Sequence, residues 1–120
     1  MYFRLIELAP SASRTANGNN GVIDTMAEEH KWHESSDMGS VRVYATLGAV
    51  TGTTPNLNIN VWGVPDGVAD FHLLGQFTGI DTAFASESLV IVSASRYMRV
   101  SWVITGGSAD FTFGVGVERF

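Results

Sequence analysis

The chain has 120 residues and a mass of 12.9 kDa, a length that fits one domain with one hydrophobic core. Hydrophobic residues make up 45% and charged residues 16%, which excludes a disordered chain, and the lack of Cys excludes disulfide frameworks, thiolate zinc sites and cysteine nucleophiles. A net charge of −5 and a pI near 4.9 argue against nucleic acid as the main partner.

The chain opens with MYFRLIELAP, which lacks the basic-then-apolar order of a signal peptide. Tyr2 to Leu8 reads as a first strand. From 9 to 40 the regular pattern lapses. Pro10 to Gly21 is small and polar, and Met26 to Asp37 sets Glu28, Glu29, Glu34 and Asp37 among His30, Trp32 and His33. An excursion this long in a small domain usually has a task, so contacts with a neighbour are expected here.

Strand periodicity then takes over. In Val41 to Leu47 apolar residues fall at every second position, and Leu57, Ile59 and Val61 alternate with Asn56, Asn58 and Asn60. Thr51-Gly52-Thr53-Thr54-Pro55 between them reads as a hairpin turn, and Val64-Pro65-Asp66-Gly67 as a type I turn. His72 to Thr78 is a further strand. Leu89-Val90-Ile91-Val92, apolar at successive positions, reads as a central strand covered on both faces. Tyr97 to Thr105 and Phe111 to Val117 are strands joined by a Gly106-Gly107 hairpin turn. The segments Val41 to Val61 and Met98 to Val115 echo one another: a strand with Arg second, a Thr-Gly step, and an alternating return. No stretch keeps a 3.6-residue period, and no apolar run approaches the roughly 20 residues a bilayer-spanning helix needs.

The expected fold is therefore all-β, an antiparallel β-sandwich or a small barrel with a long N-terminal loop. Residues 1–120 form one domain, with 1–40 an N-terminal strand and extended loop and 41–118 the main strands.

Few side chains form a pattern with chemistry in it. Glu29, His30, His33 and Glu34 are the one cluster of metal-ligand types, but HKWH lacks the HExxH order and His72 is isolated. No serine sits in a G-x-S-x-G elbow, and no Gly-rich stretch precedes a helix to cradle a phosphate. Asp66, Asp70 and Asp81 fall in or near turns, where Asp bonds the local backbone. The sequence thus predicts no enzyme, no metal and no cofactor. Candidate partner-contact residues are Tyr2, Phe3, Arg4, Glu28, Glu29, Trp32, Glu34 and Trp62, because interfaces favour aromatics and Arg. Of the seven basic residues only Lys31 is Lys, which fits the same pattern. Tyr44 lies on the polar phase of its strand and reads equally as interface or as core under a second sheet.

Ser11-Ala12-Ser13 through Asn20-Gly21-Val22-Ile23-Asp24-Thr25 resembles the opening of the small capsid cement, or decoration, proteins of tailed bacteriophages, with their N-x-V-I-D step. Arg96-Tyr97-Met98-Arg99-Val100-Ser101-Trp102 is similar to their R-Y-M-R-type strand, and Leu74-Gly75-Gln76-Phe77-Thr78 to their L-G-x-F-T strand. The similarity spans roughly residues 11 to 117. It implies a jelly-roll-like structural virion protein on the outer capsid surface, made in the host cytoplasm, that clamps neighbouring capsid subunits. It further implies the major capsid protein as partner and a homo-oligomer, dimer or trimer, with no nucleic acid and no membrane. Phage tail and fibre proteins share the V-T-G-T-x-P-x-L pattern of residues 50–57, so the alternative is a carbohydrate- or receptor-binding β-sandwich of a tail or fibre. The acidic His/Trp segment from Glu28 to Glu34 departs from the family pattern.

Overall fold

The computed structural model describes residues 6–25, 40–65, 67–92, 94 and 96–119. Among the described residues seven strands run in chain order: β1 (Ile6–Arg14), β2 (Gly18–Asn19), β3 (Ile23–Asp24), β4 (Val41–Gly63), β5 (His72–Ile80), β6 (Ser86–Ile91) and β7 (Tyr97–Arg119). All pairings are antiparallel.

Two strands dominate. β4 and β7 each have 23 residues and pair with one another from Val41↔Arg119 to Gly63↔Met98. Fully extended, 23 residues would reach about 75 Å, whereas the long axis of the molecule is 46 Å. The β4–β7 ribbon must therefore turn back on itself, and its two halves form two layers. In the first layer residues 41–47 of β4 pair with β6, and residues 111–117 of β7 pair with β1. In the second, residues 57–63 of β4 pair with β5, and 97–102 of β7 with β2 and β3. Counting each long strand as two, and β2 with β3 as one, gives eight segments in two four-stranded sheets. Their spatial order is that of a jelly roll. Trp102 of the second layer meets Phe113 of the first edge to face, with ring centroids 5.4 Å apart, so the sheets pack face to face.

Core composition follows the alternation. Val41, Val43, Ala45, Leu47, Leu57, Ile59 and Val61 of β4 all point inward and are buried. On β7 the inward phase changes, from Met98, Val100 and Trp102 to Ala109, Phe111, Phe113, Val115 and Val117. Register shifts between Leu47 and Asn56 absorb the extra residue at the bend.

Two expected hairpin turns are corrected here. Thr51 to Pro55 and Thr105 to Ser108 reverse no chain within their own strand; they lie on β4 and β7 and pair with each other at the bend. Gly52 and Gly106 occupy matching positions, with φ of 119° and 116°. A Cβ on Gly52 would fall 2.7 Å from Ala109 Cα, and one on Gly106 would fall 2.7 Å from the Thr54 carbonyl oxygen. The repeat of strand, Thr-Gly and strand thus marks two partners of one bent ribbon. The expected turn at Val64 to Gly67 is present, closed by the Gly67 N–H on the Val64 carbonyl at 2.8 Å.

Two further expectations change. Leu89 to Val92 is no covered central strand: among the described residues β6 pairs only with β4, and Val90 and Val92 are 48% and 76% exposed. Pro10 to Gly21 is only partly loop. Its first residues continue β1 to Arg14, and Gly18–Asn19 form β2. Pro10, which cannot donate to a ladder, sits where β1 slips register on β7, a place an edge strand tolerates it. Arg14 closes this corner. Its guanidinium lies over the Trp102 and Phe113 rings, at 4.6 and 4.3 Å from their centroids, and donates to the carbonyls of Pro10, Ala12 and Phe113.

Ile59→Ala should cost about 2–5 kcal/mol in denaturant unfolding, since Ile59 is fully buried. Asn58→Ala should cost about 1 kcal/mol, because Asn58 Oδ1 accepts the Gly79 N–H at 2.9 Å. Gly52→Ala and Gly106→Ala should each cost about 3 kcal/mol or more, combining positive φ with a backbone clash. Gly79→Ala, with φ 67° and open space around it, should cost only about 1 kcal/mol. Equal losses at all three glycines would contradict the bend geometry.

Candidate functional site

Chain direction gathers several strand ends at one pole of the sandwich. Gly63↔Met98, Asp24↔Tyr97, Ile6↔Val117 and Val41↔Arg119 all lie there, opposite the bend. So does the turn from Val64 to Gly67, tied to β7 by the Val64 N–H on the Tyr97 carbonyl at 2.9 Å.

The outer face of the second sheet at this pole carries Trp62, Arg99, Ser101 and Phe71. Trp62 and Arg99 are cross-strand partners. The Trp62 indole N–H donates to Ser101 Oγ at 2.9 Å, and its ring meets Phe71 edge to face at 6.5 Å. The Arg99 guanidinium lies 3.9 Å above the Phe71 ring centroid, and its Nε is buried without a hydrogen-bond partner. Val68, three residues before Phe71 in the chain, is 74% exposed. An Arg stacked on an aromatic next to a half-buried Trp is the residue chemistry found at the centre of protein interfaces.

Asp24 and Arg96 anchor the neighbouring corner. Arg96 Nε and Nη2 donate to the two Asp24 carboxylate oxygens at 2.8 and 2.9 Å, and this contact raises the Arg96 pKa above its ordinary value. Buried Thr25 donates both its N–H and its Oγ1 to the Arg96 carbonyl, at 2.9 and 2.6 Å. The V-I-D step and the R-Y-M-R strand of the sequence are thus in direct contact.

Of the candidate contact residues, Trp62 is in place on the outer face at this pole. Tyr2, Phe3, Arg4, Glu28, Glu29, Trp32 and Glu34 lie outside the described residues, as do His30 and His33 of the metal-ligand cluster. The described residues that border those segments, Ile6, Thr25 and Ser40, stand at the Trp62 pole. Among the described residues no three His, Asp or Glu side chains come together. Asp81 accepts the neighbouring Thr82 hydroxyl at 3.1 Å, a side-chain contact rather than the backbone bond expected of a turn Asp. His72 Nε2 lies 3.1 Å from Asp70 on an exposed surface.

Along the rest of this face the polar side chains are occupied with one another. Gln76 Nε2 donates to Asn60 Oδ1 at 2.8 Å, and Asn58 holds Gly79. On the opposite sheet Tyr44 faces outward, half-buried, with no second sheet over it among the described residues, and its hydroxyl donates to Glu118. It lines a shallow depression of about 200 Å³ with Glu7, Ser11, Thr46, Gly114 and Gly116. Clefts for small-molecule ligands usually hold about 300–1,000 Å³.

Sequence reasoning missed Phe71, Arg99 and the exposed Phe84. Phe71 follows a run of turn residues, and Arg99 reads as an intruder in an apolar strand; its placement beside Trp62 depends on pairing between distant segments. Phe84, 80% exposed with φ 57°, lies in the β5–β6 connection at the bend pole.

The Tyr44 contact gives a pH signature. The hydrogen bond to Glu118, then burial, holds the phenol above its ordinary value of 10.0. A group whose folded pKa is raised contributes stability below its unfolded pKa and loses it as pH rises through the folded one. Stability should therefore fall above about pH 10 in wild type, and Tyr44→Phe should melt slightly lower at neutral pH and show a flatter alkaline limb. Parallel alkaline melting curves for both proteins would contradict the contact.

No family model and no curated protein matches the chain. Solved structures similar to it include a Bacillus endospore appendage pilus protein at 13% identity and a TM-score of 0.48, covering 99% of this chain and 90% of that one. An infectious bursal disease virus Gx strain structure is similar at 9% identity and TM-score 0.47, covering 98% of this chain and 31% of that one. A Clostridium thermocellum xylanase 10B structure with CBM22-1 and GH10 modules is similar at 9% identity and TM-score 0.48, covering 96% and 28%. The chain thus spans about a third or less of the last two.

Proposed function

We propose that this chain is a structural virion protein, a capsid cement protein that binds the outer shell and stabilises contacts between capsid subunits. The observation that carries this reading is the Trp62–Phe71–Arg99 cluster. It sets two aromatics and a stacked Arg, its Nε buried without a partner, on an outward face. A protein surface that covers this cluster gains the buried aromatic and Arg contacts that dominate interface energetics.

The mechanism is mechanical. A rigid jelly roll bound across a seam between major capsid protein subunits adds buried surface that separation must expose. Many copies on a symmetric shell reinforce one another without any one site being tight. The resemblance of residues 11–117 to phage cement proteins points the same way, and the Asp24–Arg96 pair joins two of the segments that carry it. Binding rather than catalysis is the task proposed. The tail or fibre reading, with carbohydrate as ligand, has less support: Asn58, Asn60, Gln76 and Trp62 spend polar groups on contacts within the sheet.

Co-sedimentation with assembled shells tests the proposal. Wild type is expected to pellet with capsids in many copies. Trp62→Ala should retain the circular dichroism spectrum and lower shell occupancy at least about tenfold at fixed concentration. Wild type that stays in the supernatant while binding reproducibly on a glycan array would overturn the cement reading in favour of the carbohydrate one. Full occupancy by a folded Trp62→Ala protein would remove the cluster from the contact.

A further inference from the structure

An open strand edge is a row of unpaired backbone groups, and proteins blunt such edges with proline, bulges, charge or brevity. Most edges of this sandwich are blunted. β1 contains Pro10 and slips register twice, β5 slips twice against β4, and β2 and β3 have two residues each. β6 is different. Its six pairs with β4 run from Val41↔Ile91 to Thr46↔Ser86 without a slip. Ser86–Ile91 holds no proline and no basic residue, and Glu87 is its one charge. Val90 and, just beyond the strand, Val92 are apolar and exposed.

Backbone directions along β6 follow from the ladder. The Leu47 N–H donates to the Ala85 carbonyl at 2.9 Å. With unbroken register, the groups of Glu87, Leu89 and Ile91 then face β4, and those of Ser86, Ser88 and Val90 face away. Among the described residues no strand takes them.

We infer that β6 is a self-association edge: a second copy of this chain pairs its β6 antiparallel to the first across a two-fold axis through Val90. Such pairing satisfies the outward groups of both copies at once, as an isologous contact must. Centred on Val90, it sets Leu89 beside Ile91 of the second copy on the core side and Ser88 beside Val92 of the second copy outside. Charge selects this register. The two Glu87 carboxylates stand six residue positions apart, roughly 20 Å, whereas centring on Ser88 would bring them to about 7 Å. The first layer becomes an eight-stranded sheet continuous through two copies. Shell attachment through the Trp62 pole is not needed for this contact.

A single introduced cysteine tests the axis, because the chain has none. Residues facing one another in a hydrogen-bonded antiparallel pair have Cα atoms about 5.5 Å apart, within disulfide reach. Under mild oxidation at micromolar concentration, Val90→Cys should become mostly covalent dimer. Val92→Cys, off the axis, and Val103→Cys, on the other layer, should stay monomeric. In sedimentation velocity the wild type should show a concentration-dependent monomer–dimer equilibrium. Val90→Pro removes only an outward N–H; it should raise the dimer dissociation constant at least about tenfold with little change in melting temperature. Should Val90→Pro unfold the chain, the cysteine comparison decides alone. Equal cross-linking at the three cysteine positions, or a dimer indifferent to Val90→Pro, would overturn the inference. So would a wild type monomeric at every concentration whose shell binding Val90→Pro abolishes; that result would give the edge to the shell.

Discussion

The pairing of β4 with β7 along 23 residues, broken only by a shared bend, is the constraint on which the rest of the molecule depends. One ribbon contributes the centre of both sheets, so the layers are covalently continuous rather than merely packed. Every other strand adds to it from outside. The bend demands glycine at two matching places, because both the backbone conformation and the space beside it exclude a Cβ. The one-residue slip there re-aims the β7 side chains, so that Trp102 from one layer and Phe113 from the other meet in the core.

Much of this was legible in the sequence. Period-two alternation marked Val41 to Leu47, Leu57 to Val61 and Phe111 to Val117 as half-buried strands, and each buries the residues its phase implies. The all-β class followed from strand count and turn density, and the jelly-roll expectation from the resemblance to cement proteins. Hairpin grammar misled at the bend: Thr-Gly steps favour turns, yet the same residues serve a bulged bend when the partner strand lies far away in sequence. An apolar run was equally ambiguous. Leu89 to Val92 fits a covered central strand or an edge with an apolar outer surface, and only the pairing of distant segments distinguishes them.

The surface site was less legible for the same reason. Trp62 was identifiable as an aromatic on the polar phase, but Phe71 and Arg99 reach it through a connection and a second strand. Conversely, Asn56, Asn58 and Asn60 look like a solvent ladder in sequence, whereas Asn58 and Asn60 hold the β5 backbone and Gln76. The N-terminal stretch shows a similar reversal. Asn17 accepts the Ile104 N–H, Asn20 donates to the Leu8 carbonyl, and the Trp102 indole donates to the Ala16 carbonyl. Small polar residues there fasten the chain to β1 and β7.

Native-state hydrogen exchange tests the dependence on the ribbon most directly. If β4 and β7 unite both layers, the slowest amides of Val43 and Val115 in one layer and of Ile59 and Val100 in the other should exchange through the same global opening. Their opening free energies should be equal within about 0.5 kcal/mol and should fall together in Gly52→Ala. Amides of one layer opening at distinctly lower free energy, or a Gly52→Ala effect confined to one layer, would contradict a sandwich built on a single bent ribbon.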